Sequence, residues 1–315
     1  MSRTRRAGVA AIAIGALVLA TPHAQRPSVV LPAMQPFLVS HYDFDHPLAG
    51  DPTRETDLGA SGTSITLING GAAMRVDESA YPGSGRALRT KQVNPSVTGN
   101  DDWKAGIYAA SGVPSLRRFN AASGITLMGW IKPDGTNPNL NSMTPAPDDL
   151  YNAIGLFGLL AGNSEGHGVR ALLELINVSG TMKLVALGRR VDTGNSVTLA
   201  ADAEWPTLLP NGRWTHLAAT FDFDAGTMAL YRNGELLPAT YTTAGDQWAL
   251  AGDAARPHRT SATDPAGIKI GGSFPQNTTE RNAFNGLQDD LMFFDKALSA
   301  ADIKAQLARF QGRAQ

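Results

Sequence analysis

Two adjacent carboxylates, Asp289 and Asp290, stand inside an otherwise apolar run, NGLQDDLMFFDKALSAADI, residues 285–303. If the run is a strand, alternation places Asp289 with Leu291 and Phe293, and Asp290 with Met292 and Phe294 on the opposite face. An acid and base acting together need one face, so this reading separates the pair. One carboxylate then lies on the core side, where an unpaired charge is costly without a cation or several donors. Alternation alone does not say which of the two that is. Other chemistry is thinly represented. There is no Cys, which excludes disulfides, thiolate metal sites and a cysteine nucleophile. No E-x-D-x-E triplet places two carboxylates for retaining glycoside hydrolysis. His41, His46 and His167 form no H-x-x-x-H pair, so zinc has no local spacing to use. Glu174 is a lone acid within an apolar run and reads as structural.

Aromatic side chains offer a binding chemistry instead. Trp130 and Trp214 fall in regular apolar patterns that suit a core. Trp103, Trp205 and Trp248 lie in polar, turn-rich contexts, as does Tyr151. Sugar rings stack on exposed aromatic faces while Asn, Asp and Arg bond the hydroxyls, so these four are candidate ligand platforms. The alternative for each is that it pins a loop against the protein.

The elements that must position these groups are short. The 315 residues are 43 % hydrophobic, enough for a core, and 33 Gly and 19 Pro with 7 % aromatics favour many strands and turns over a helical bundle. Lys plus Arg total 27 against 28 for Asp plus Glu, so the net charge of -1 gives no reason to expect nucleic acid. Residues 1–24 combine Arg3, Arg5 and Arg6, an apolar run from Ala7 to Ala20, and small residues suited to cleavage, which is the pattern of a secretory signal. The apolar run is short for a bilayer. The expected mature protein is secreted or periplasmic, with no membrane span. A Pro-rich leader, 25–39, precedes one domain, 40–315.

Within that domain GITLMGWIKP (124–133) alternates with both faces partly apolar, as in a sandwich strand. AIGLFGLLAG, VRALLELINV and MKLVALGRRV suit antiparallel hairpins, with a helix as the rival for ALLELI. RWTHLAATFDFDAGTMALYRNGELL (213–237) implies two linked hairpins, the second at Asn233-Gly234, a type I′ signal. Long loops are expected at 136–152 and 242–266. The tail SAADIKAQLARF reads as a helix capped by Ser299 and Asp302, with Ile303, Leu307 and Phe310 on one stripe.

GITLMGWIKP, GRWTHLAATFDFDAGTMALYRNGELL and IKIGGS…FNGLQDDLMFFDKALSAADI, in that order, resemble the laminin-G-like, concanavalin A-like jelly-roll domains of secreted bacterial proteins. The resemblance spans most of Tyr42 to Ile303. It implies an all-β fold, a two-sheet antiparallel β-sandwich with a short C-terminal helix. It also gives His216 a structural position and implies one calcium ion where the first and last strands meet. Asp289 would point inward as a ligand there, with Asp45 second and Asp57 third, and Asp290 would be an ordinary outward charge. The function implied is carbohydrate binding, toward a glycan or cell-surface polysaccharide. The alternatives are a polysaccharide lyase or glycoside hydrolase acting on the concave sheet, and a protein-adhesion module.

Overall fold

The computed structural model describes residues 28–93, 102–135, 154–160, 169–189, 196–242, 264–272 and 283–312. The signal segment, the expected loop at 136–152 and most of that at 242–266 lie outside the described residues, as do Tyr151, His167 and Trp248.

Short alternating segments build two sheets. The first runs β15 (Glu235–Leu236), β14 (Thr227–Arg232), β13 (Thr215–Asp222), β8 (Gly124–Pro133), β18 (Gly286–Phe294), β6 (Ala87–Thr90), β5 (Arg75–Val76), with β1 (Leu38–Tyr42) also pairing on β18. The second runs β16 (Ala239–Tyr241), β12 (Ser196–Ala201), β11 (Thr181–Arg189), β10 (Val169–Val178), β9 (Ile154–Leu160), β17 (Gly267–Ile270), β7 (Lys104–Tyr108), β4 (Ile65–Ile68), β3 (Asp51–Glu55), β2 (Pro47–Leu48). The all-β, two-sheet antiparallel sandwich read from the sequence is the fold found.

The two sheets bury one shared core. Leu127, Phe221 and Phe293 of the first sheet meet Phe157, Leu173 and Ile268 of the second, and the Phe157 and Phe293 rings meet edge-on at 5.9 Å. Each such side chain, fully buried, stabilises the fold by about 1.5–3 kcal/mol. The partly apolar second face of β8 has its own use. Met128 and Trp130 turn away from the sheet-sheet core and join a second cluster with Met292 and Phe294 of β18. Among the described residues the α-helices are α1 (Trp205–Leu208) and α2 (Ala300–Gln311). α2 closes the second cluster with Ile303, Leu307 and Phe310, starting at a full capping box between Ser299 and Asp302.

Residues 28–37, which the sequence sets apart as a leader, are packed in this cluster through Val29, Val30 and Met34. The Gln306 amide of α2 holds them at both ends. Its Nε2 donates to the Val29 carbonyl at 3.1 Å, and its Oε1 accepts from the Leu31 N–H at 3.0 Å.

ALLELI is strand, not helix. β10 pairs with β9 on one side and β11 on the other, so both backbone edges are satisfied. The β14–β15 hairpin turns through Asn233 at φ 49° and Gly234 at φ 80°, the two positive values a type I′ turn needs.

Candidate functional site

The two carboxylates of β18 sit where its neighbour changes. One edge of β18 pairs with β8. Along the other edge, β6 pairs with Gly286–Gln288 and β1 with Leu291–Phe294. Asp289 and Asp290 fall in the gap between those two partners. The register against β8 also slips here: Asp289 lies opposite Trp130 and Met292 opposite Met128, leaving Asp290 and Leu291 to share Gly129. Asp290 takes up the extra residue at φ 47°, a conformation Asp tolerates better than most side chains. This is a β-bulge, which re-aims side chains locally.

The bulge overturns the opposite-face expectation. Alternation is broken between the two acids, and both turn to the segment 77–86. Asp290 is not a solvated outward charge: it is 1 % exposed. Its Oδ2 accepts from the Tyr81 hydroxyl at 2.5 Å, and its Oδ1 lies 2.7 Å from His41 Nε2. Asp289 Oδ2 accepts from the Ala80 N–H at 2.9 Å, whereas its buried Oδ1 has no hydrogen-bond partner.

The residues after β1 arrive at the same place. Asp45 Oδ2 accepts from the Gly85 N–H at 2.8 Å. A Cβ at position 85 would lie 2.7 Å from Asp45 Oδ1, so a side chain there would have to displace the carboxylate. Both Asp43 oxygens lie 2.9 Å from His46 Nδ1. Asp57 is engaged differently. Its Oδ1 accepts from the His41 and Gly59 N–H groups, and its Oδ2 from the Thr63 N–H and the Ser61 hydroxyl. Four donors on one carboxylate make it the organiser of the 57–63 turn.

Burial and the neighbouring Asp290 charge push the Asp289 carboxyl well above its ordinary value, only partly offset by the Ala80 N–H and Ser84. Burial raises Asp45 too, against the Gly85 N–H, with Asp43 and Asp290 adding repulsion. For Asp43 burial works upward, but the His46 bond and the His41 and His46 charges leave it lowered. Burial works against a charged His41, yet the bond to Asp290 and the charges of Asp290, Asp43 and Asp57 hold it above 6.5. The site is a rim of mutually repelling carboxylates, with one orphaned oxygen, Asp289 Oδ1. Such a set favours a hard cation. Among the described residues, however, no three acidic or histidine side chains are grouped closely enough to enclose an ion as they stand.

Of the four aromatic platforms, only Trp103 and Trp205 fall within the described residues. Both are half-buried and packed against the main core. Trp103 bridges to Lys91 just before β7, and Trp205 opens α1 after β12. Four strands separate β7 from β12, or about 24 Å along the sheet at ~4.8 Å per strand. The structure does not bring these two rings onto one platform.

His216 is fully buried between Trp130 and Phe310, with ring centroids 5.3 and 5.6 Å away. Burial alone lowers it to about 3. A ring so enclosed cannot act as a general base on an external substrate. Sequence reading named His41 only in setting zinc aside, and missed Tyr81 and the 77–86 segment. Their signal was weak: His41 sits in the opening strand immediately before YDFD, and SAYPGSG supplies a phenol, two serine hydroxyls and two glycines in a turn.

The comparisons agree with this architecture. A laminin-G family model of the concanavalin A-like lectin/glucanases superfamily matches residues 104–304. The mouse pentraxin-related protein PTX3 is 30 % identical over 112 residues, which are 36 % of this chain and 26 % of that protein. Among solved structures, the binding domain of botulinum neurotoxin DC in complex with rat synaptotagmin II superposes with a TM-score of 0.53 at 12 % identity, covering 88 % of this chain and 52 % of that one. The binding domain of Paraclostridial mosquitocidal protein 1 gives 0.52 at 14 % identity, covering 87 % and 52 %. The chain spans about a quarter of the curated relative and about half of the solved chains, and at these identities the structural likeness is one of fold.

Proposed function

Because the chain belongs to the concanavalin A-like lectin/glucanase superfamily, we propose that it is a carbohydrate-binding module whose rim site, at the gap between β1 and β6, seats a calcium ion. The observation that carries this reading is the buried, unpartnered Oδ1 of Asp289 within a cluster of four carboxylates. A carboxylate there without a counter-charge destabilises the fold, and a hard cation such as calcium, which takes oxygen ligands, would supply that charge. Asp289 and Asp45 would hold the ion, with main-chain carbonyls and water completing its shell. Asp57 is left out of this set because its oxygens are committed to four donors. When bound, the ion would supply positive charge at the rim and a coordination position for a sugar hydroxyl or carboxylate. The chain's own part is to bring the 77–86 segment and the residues after β1 together around it.

The fold hosts binding modules and enzymes alike, so it does not choose between them. Binding is favoured because the full sequence has no E-x-D-x-E triplet, and because His216 is enclosed. Likeness to the two binding domains supports a role in recognition and leaves open whether the partner is glycan or protein. The N-terminal segment supports export, to the periplasm or the medium. No helix among the described residues is long and apolar enough to cross a membrane.

The test is a glycan array run in calcium, with reducing-end and unsaturated-uronate assays on every polysaccharide that binds. Glycan binding without turnover is the expected result. Turnover would replace the binding module with an enzyme, and capture of protein partners with no glycan bound would make it an adhesion module.

A further inference from the structure

α2 covers the outward face of the first sheet, and at the centre of that contact stands a histidine with nothing to bond. His216 of β13 is fully buried, and neither ring nitrogen has a hydrogen-bond partner. Its ring faces Phe310 of α2 at 5.6 Å and Trp130 of β8 at 5.3 Å. Phe310 in turn lies 4.9 Å from Tyr81 and 5.8 Å from Trp130. A neutral imidazole can remain in this aromatic enclosure. An imidazolium cannot do so without a large penalty, because no acceptor meets its two N–H groups.

The geometry points to an acid-released latch: when His216 takes a proton, α2 and the 28–37 segment it holds leave the sheet while the sandwich stays folded. α2 is the element free to move. It has 12 residues, a length at which an isolated helix is marginal. Its contacts belong to the second cluster, separate from the sheet-sheet core. β13, by contrast, is hydrogen-bonded along both edges by β8 and β14. Release would uncover Met128, Trp130, Ala218, Tyr231, Met292 and Phe294.

The other titratable and charged groups around this contact have partners of their own. Lys304 of α2 pairs with Glu235 of β15, and Arg309 donates to the Ser28 carbonyl. Lys132 of β8 pairs with Glu78, Arg232 of β14 donates to the Leu208 carbonyl, and Tyr81 donates to Asp290, which also meets His41. Burial is the single cause of the lowered His216 value of about 3, so none of these charges tunes it.

The docked state therefore holds His216 below 6.5, and docking is fully present above that pH and weakens as pH falls. Each pH unit below 6.5, down to about 3, favours the undocked state about tenfold. Between pH 7.5 and 4.5 the undocked fraction should rise about 100-fold.

Hydrogen exchange by mass spectrometry on the full chain, corrected for intrinsic exchange rates, tests this. Amides of 300–311 and 28–37 should lose about 100-fold protection between pH 7.5 and 4.5, while those of β8 and β13 keep theirs. In His216→Leu and His216→Phe that loss should disappear. α2 protection that ignores pH, strand amides that open in step with α2, or a loss that persists in either variant would each overturn the latch. Should neither variant fold, the wild-type contrast between α2 and the strands still decides.

Discussion

Replacing Asp290 by Asn keeps the side chain's shape and its tolerance of positive φ while removing the charge that His41 faces. In the native protein Asp290 takes the Tyr81 hydroxyl and the His41 ring at 2.5 and 2.7 Å. Hydrogen bonds to a charged group stabilise by ~1.5–3 kcal/mol against ~0.5–1.5 for neutral ones, so the two together should lose about 2–3 kcal/mol in Asp290→Asn. The pH dependence is the sharper signature. His41 is held above 6.5 in the native fold, so its pairing contributes stability that is complete below 6.5 and fades as pH rises through the folded value. Without Asp290, burial becomes the dominant influence and drives His41 downward, so the variant loses stability as pH falls below 6.5. The gap between the proteins should widen toward pH 5 and narrow toward pH 9, with a slope of at most ~1.4 kcal/mol per pH unit. Urea unfolding at each pH measures that gap directly; groups away from Asp290 cancel in the difference, and repeating the comparison on an Asp289→Asn background removes the carboxyl that the Asp290 charge pushes up. A gap that is constant from pH 5 to 9, or larger at pH 9, refutes the His41–Asp290 pairing.

Two further substitutions probe the frame that holds the site. Gly234→Ala forces a side chain into φ 80° and places its Cβ 3.2 Å from Leu307 Cδ2; a loss of about 1 kcal/mol or more is expected in thermal unfolding, and an unchanged melting temperature would remove the type I′ turn from the account. Ser299→Ala deletes one arm of the capping box, and should cost about 1 kcal/mol, visible as lower protection of the first turn of α2 in hydrogen exchange.

Where the local chemistry was self-sufficient, the sequence was readable. Asn233-Gly234 and the Ser299–Asp302 box carry their geometry in two or four residues, and both appear as expected. β8 was legible because its ten residues alternate without interruption. β18 was not. Every residue from Gly286 to Phe294 is buried, so polarity does not report which face a side chain takes. The bulge that turns Asp290 depends on β6 and β1 sharing one edge of β18, and those partners lie about 200 and 250 residues away in sequence. Residues 28–37 read as part of a leader because their packing against α2 uses irregular backbone and the Gln306 side chain, neither of which leaves a period. Trp103 and Trp205 drew attention through their polar neighbours, but half of each ring's surroundings is supplied by the core.

The rim site is tested most directly by calorimetric titration of calcium into metal-free protein, for the wild type, Asp289→Asn and Asp57→Asn. The account predicts a single-site isotherm in the wild type, its loss in Asp289→Asn, and its retention in Asp57→Asn, whose carboxylate organises a turn. No heat of binding in the wild type, or an isotherm untouched by Asp289→Asn, would contradict it.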